Sequence, residues 1–158
     1  MKFYLKPVLS VLAIVVLLGY SGCGPDGGGG PSEEEVQLGQ LSTTWKVGAT
    51  GDVKLQGSSK KAEYSGFQLT LTGTPGATAY SYTTTGRPAL SPWPAAGSWN
   101  FGTDVTKDII RDKGTNGEVA MTYTINGNNL ELTFTYAGTG EPARTGEVKG
   151  QWVFTLTK

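Results

Sequence analysis

At 158 residues, with 13 basic and 13 acidic side chains, the chain has room for one core and carries no charge excess. It contains no histidine and one cysteine, which removes serine and cysteine hydrolase triads, histidine-containing zinc sites and disulfide frameworks. Without residues 1–22, which hold Lys2 and Lys6, 11 basic side chains face 13 acidic ones, a balance that leaves no basic face for nucleic acid.

The chain opens with "MKFYLKPVLSVLAIVVLLGYSGC": two lysines, an apolar stretch from Val8 to Leu18, then small residues before Cys23. This is the layout of a secretory signal, and the apolar stretch is too short for a comfortable membrane span. "YSGC" resembles the lipobox of bacterial lipoproteins, in which a small residue precedes a cysteine that is acylated and becomes the new N-terminus. The resemblance implies a signal peptide over 1–22, lipidation of Cys23, and attachment to the bacterial cell envelope at the outer membrane, with the face it occupies left open. Tyr20 stands where such sites usually carry an aliphatic residue, and the alternative at the residue level is a free thiol beside an ordinary cleavage site. Each buried methylene contributes about 0.8 kcal/mol, so two or three acyl chains hold a protein where a single one does so only marginally.

Residues 23–37 read as the acylated cysteine and its tether. Gly27 to Gly30, between Pro25 and Pro31, are too flexible to pack. As a coil, the stretch from Gly24 to Glu35 spans roughly 20 Å, enough to hold the domain clear of the headgroups; an ordinary disordered terminus is the alternative. Glu33 to Glu35 also have two readings. Some lipoproteins carry acidic residues behind the cysteine as a mark for surface export. Ser32 with Glu35 three residues on, ahead of Val36 and Leu38, is a capping box, and it predicts a short helix over about Glu33–Gln40 lying across one end of the domain that follows.

Residues 38–158 are dominated by alternation with period two. Trp45 and Val47, Val53 and Leu55, then Phe67, Leu69 and Leu71 mark the first strands; Tyr80 and Tyr82, Trp99 and Phe101, and "VTKDIIRD" continue the series. In "EVAMTYTINGNNLELTFTY", Val119, Met121, Tyr123 and Ile125 share a face, Asn126 to Asn129 turn the chain, and Leu130, Leu132, Phe134 and Tyr136 repeat the pattern, which predicts an antiparallel hairpin. "GQWVFTLTK" closes the set with Trp152, Phe154 and Leu156. The fold class is all-β: an up-and-down antiparallel β-barrel of about eight strands, preceded by a short helix, with a sandwich as competitor. The order of "LSTTWKV", meander, "PWPAAGSWNF", hairpin and "GQWVFTL" resembles the lipocalin-like domains (calycin-like barrels) of bacterial lipoproteins. Such domains tend to bring an arginine over the first-strand tryptophan near the barrel's end, and here the sequence departs from them: the last strand has no arginine, Arg144 precedes it and Lys158 ends it.

"RPALSPWPAAGSW" holds the candidate contacts. Pro92 and Pro94 restrict the backbone on both sides of Trp93, so the indole is either held out as a contact or folded back as a lid over one barrel mouth. Trp99 follows in the same stretch. Arg111 and Arg144 complete the set: Arg111 either points its guanidinium into the mouth toward an anion or pairs at the strand end with Asp112 or Glu118. Asp104, Asp108 and Asp112 recur every fourth residue, a spacing that lacks the alternating ligands of a calcium loop. No carboxylate pair is set apart for glycoside hydrolysis, so no metal, cofactor or enzyme activity is expected. Two function classes fit. One is a membrane-anchored binding module taking a small apolar molecule, lipid or glycan fragment at the barrel mouth. The other is an accessory or scaffolding lipoprotein with a solid core that contacts other envelope proteins.

Overall fold

The computed structural model describes residues 29–138 and 148–158. The expected signal segment 1–22, Cys23, the tether up to residue 28, and Arg144 lie outside the described residues. The folded unit runs from Pro31 to Lys158.

Helix α1 spans Glu33–Leu41. Glu35 N donates to Ser32 Oγ at 3.2 Å while Ser32 N donates to Glu35 Oε2 at 2.8 Å, which is the expected capping box. Glu33, Glu34 and Glu35 fill the first turn, where negative charge suits the helix dipole. Leu38 and Leu41 are buried, whereas Val36 stays exposed. Two leucines rather than the whole apolar set therefore fasten the helix.

Among the described residues ten strands follow: β1 (Thr44–Lys46), β2 (Asp52–Leu55), β3 (Ser58–Ser59), β4 (Gln68–Thr72), β5 (Tyr80–Thr85), β6 (Ala96–Phe101), β7 (Asp108–Arg111), β8 (Val119–Asn126), β9 (Asn129–Tyr136) and β10 (Gly150–Thr157). All pairings are antiparallel, from β1 to β4 and then in sequence order to β10, which returns to β1 through Lys46↔Thr157. The result is a closed eight-stranded up-and-down barrel of β1 and β4–β10, not a sandwich. Closure pairs the edges that an open sheet would leave free.

The segments around Val47 and Val53 work as one interrupted wall strand. β2 continues along β10, with Asp52 opposite Thr155 and Leu55 opposite Trp152, and β3 turns back on β2 as a short hairpin. At the break, a Cβ on Gly51 would stand 2.5 Å from the Thr155 carbonyl oxygen, so only glycine lets the chain pass this close.

The alternation is realised on the inner face. Val119, Met121 and Tyr123 of β8, Leu130, Leu132, Phe134 and Tyr136 of β9, and Trp152, Phe154 and Leu156 of β10 are buried. Phe134 stacks on Phe154 at 5.8 Å, and Tyr64 meets Phe67, Trp152 and Phe154 edge-on. Such ring pairs contribute about 0.5–1.5 kcal/mol each beyond burial. All four tryptophans are buried. Lys158 Nζ lies 5.3 Å from the Trp45 ring centroid, so a cation covers the first-strand tryptophan, supplied by the lysine that ends the last strand.

Candidate functional site

Because the strands alternate in direction, the barrel has two ends with different connections. One carries α1 together with residues 73–79, 102–107 and the β8–β9 tip. The other carries residues 86–95 and 112–118, beside the end of β9 and the start of β10.

At the first end, α1 is fastened by strand tyrosines. Tyr80 donates to Glu34 Oε1 at 2.6 Å, and the Tyr123 hydroxyl lies between Gln37 Oε1 and the Val105 carbonyl. Burial, then the Glu34 carboxylate, pushes the Tyr80 phenol up to about 12. Burial first, and the charges of Asp104, Asp108 and Glu33 after it, also raise Tyr123. Both hydroxyls thus stay protonated donors at neutral pH. Beside them, Asp104 accepts from Thr106 and pairs with Lys107 at 2.8 Å, and these bonds, the Lys107 contact foremost, pull its carboxyl down to about 2.

The second end brings Trp93 and Arg111 together. Trp93 is 1% exposed, with its ring edge-on to Tyr82 at 5.3 Å, Phe134 at 6.0 Å and Phe154 at 6.3 Å. Of the two orientations open to it, the indole takes the inward one. The Arg111 guanidinium carbon lies 5.3 Å from the Trp93 centroid and 6.0 Å from that of Tyr136. Arg111, 2% exposed, points into the mouth and also pairs at the strand end with Asp112, at 3.2 Å. Its Nη1 donates to Pro92 O at 2.6 Å and its Nη2 to Gly117 O at 3.2 Å. One side chain thereby joins the 86–95 and 112–118 connections.

Asp112 is held as firmly as the arginine it meets. Its Oδ2 accepts from the Tyr82 hydroxyl at 2.9 Å and its Oδ1 from Ser98 N at 2.9 Å. Its φ of 51° is a left-handed conformation that costs a non-glycine residue energy unless its surroundings enforce it. Gly97 makes room: a Cβ there would fall 2.2 Å from Asp112 Oδ1 and 2.6 Å from the Tyr82 oxygen. Sequence reasoning offered Asp112 or Glu118 as the acid beside Arg111, and the pair formed is with Asp112; it missed Tyr82, Ser98, Gly97 and Gly117. An inward tyrosine needing a hydrogen-bond partner was the one signal for this network.

Trp99 sits opposite Arg111 in the β6–β7 register. It is buried, donates from Nε1 to Ser81 O at 3.1 Å and packs on Tyr80 and Phe101. Asp112 is carried to the opposite end of β7 from Asp104 and Asp108, and among the described residues no cluster suits a metal ion. The outer wall carries a trough of about 410 Å³, whose lining includes Ile110, Ala120, Thr122, Thr133, Thr135 and Gln151. A second depression, of about 530 Å³, lies by Thr124, Glu131 and Thr155. These two open outward, whereas the interior is occupied by rings. In comparisons with known proteins, no family model, curated protein or solved structure matches the chain.

Proposed function

We propose that the chain is a non-catalytic lipoprotein of the bacterial envelope, anchored at the outer membrane through acylated Cys23, whose lipocalin-like barrel works through its outer surface as an accessory or scaffolding contact for other envelope proteins. The observation that carries this reading is the filling of the barrel. α1 lies over one end, Trp93 and Arg111 occupy the other, and aromatic side chains pack between them. A barrel of eight strands either fills itself or holds a ligand, and among the described residues this interior is occupied by buried aromatic side chains. The closed up-and-down barrel with a short helix before it supports the lipocalin-like resemblance.

Crosslinking in intact envelopes tests the contact. Reproducible conjugates to a defined partner are expected, and a bare chain that instead retains a small molecule in native mass spectrometry would argue for the binding-module reading. The anchor has its own test: Cys23→Ala should leave the membrane fraction, and retention there would contradict lipidation.

A further inference from the structure

We propose that the 86–95 connection is the surface through which the chain meets its envelope partner, and that this partner is a protein offering an apolar pocket for Leu90 with a carboxylate beside it for Arg87. The proposal rests on the scaffolding reading and names the part of the outer surface that carries it.

The first argument is what the connection presents. Ala89, Leu90, Ala95 and Ala96 are exposed, and Leu90, at 40%, is one of two large hydrophobic side chains so placed among the described residues. Between Pro88 and Ala96 the chain carries no charge. A lone exposed leucine is ordinary, but here the apolar run starts beside a cation. Arg87 is half-buried, and among the described residues no carboxylate lies within ion-pair reach of it. A partner's carboxylate would complete this guanidinium, and an arginine next to an apolar patch is a composition that protein interfaces favour.

The second argument is that the connection is held in one shape before any partner arrives. Trp93 is pegged into the barrel, and Arg111 Nη1 holds Pro92 O. Thr84 fastens the return, its Oγ1 donating to Pro94 O at 2.6 Å and its N to Ala95 O at 2.7 Å. At the other root Gly86, at φ 63°, passes so close to Gly66 that a Cβ would overlap the Gly66 carbonyl. Pro88, Pro92 and Pro94 fix φ between these points. A surface ordered in advance spares the entropy that binding would otherwise cost.

The third argument is position. The tether from Cys23 joins the folded unit at Pro31, beside α1, at the first barrel end. The 86–95 connection lies at the second end, about 20 Å away along the six residues of β5. Val36, the other exposed large hydrophobic, sits instead on α1 near the point of attachment.

The test places a photoreactive phenylalanine analogue at Ala89 of the full chain, and in parallel at Thr124 on the outer wall and at Gly39 on α1, and illuminates intact cell envelopes. The Ala89 probe should give one protein conjugate. Its yield should fall at least about tenfold with Leu90→Ser and with Arg87→Gln, while both variants keep the wild-type urea midpoint. Added salt should lower the yield in the wild type and leave that of Arg87→Gln unchanged. Conjugates from Thr124 or Gly39 but none from Ala89 overturn the proposal and leave the scaffolding reading standing, whereas no conjugate from any of the three positions overturns both. An Ala89 conjugate indifferent to Leu90→Ser or to Arg87→Gln overturns the pocket and its carboxylate.

Discussion

Arg111→Met removes the cation that joins two connections while keeping most of the side chain's length. The Asp112 carboxylate, whose side chain is 15% exposed, loses a partner at 3.2 Å, and Pro92 O and Gly117 O lose their donors. Breaking a buried pair by removing one member costs about 3–5 kcal/mol. Tyr82 and Ser98 N still serve the carboxylate, which places the expected loss at the lower end, about 3 kcal/mol. That lowers the folded-to-unfolded ratio roughly 150-fold and the melting temperature by about 10 °C. Urea unfolding at pH 7 followed by circular dichroism measures it, and a double-mutant cycle with Asp112→Asn isolates the pair. A loss below about 1 kcal/mol, with the two substitutions additive, would refute the reading of Arg111 as the clasp of this end.

Gly97→Ala presses a methyl group into Asp112 Oδ1 and the Tyr82 hydroxyl, and should destabilise by about 1–3 kcal/mol; full stability in urea would mean that the network yields freely. Tyr80 should set an alkaline limit. Its folded pKa of about 12 lies above the ordinary 10.0, so its bond to Glu34 contributes in full below pH 10 and is lost as pH rises through about 12. Tyr80→Phe should remove that part of the stability–pH curve, and superimposable curves would contradict it. Asp104 has the opposite sign: its carboxyl lies near 2 against an ordinary 3.8, so its contribution is present above 3.8 and lost as pH falls through about 2. Lys107→Met should move that carboxyl back up in an NMR titration, and an unmoved value would show that Thr106 alone holds it.

The strands were legible because a barrel wall with a closed interior demands period two, and β8, β9 and β10 carry it without interruption. Ser32 and Glu35 announced α1 equally plainly, since both halves of the capping box are local. The break between β1 and β2 was not legible as one wall strand. What makes Gly51 necessary is the Thr155 carbonyl, far away in sequence. The direction of Trp93 was undecidable for a related reason. Two prolines fix local backbone angles but not the side to which the segment folds; that depends on Arg111 reaching Pro92 O, hence on the register of β6 with β7. Asp112 in a left-handed conformation is likewise invisible locally, because Tyr82 and Ser98 hold it there from neighbouring strands.

The pairing of β10 also governs the order in which the barrel assembles. β4 to β9 form a meander in which each strand meets the next through a short connection, and such hairpins zip quickly. β10 alone gathers β9, β2 and β1, through contacts as distant as Lys46 with Thr157. By contact order, closure is the event expected to come late. Until residues 150–157 emerge during synthesis, β1 and β9 remain open edges and Trp45 and Phe134 lack much of their cover. A chain ending at Ala137 should accordingly fail to give a cooperative unfolding transition.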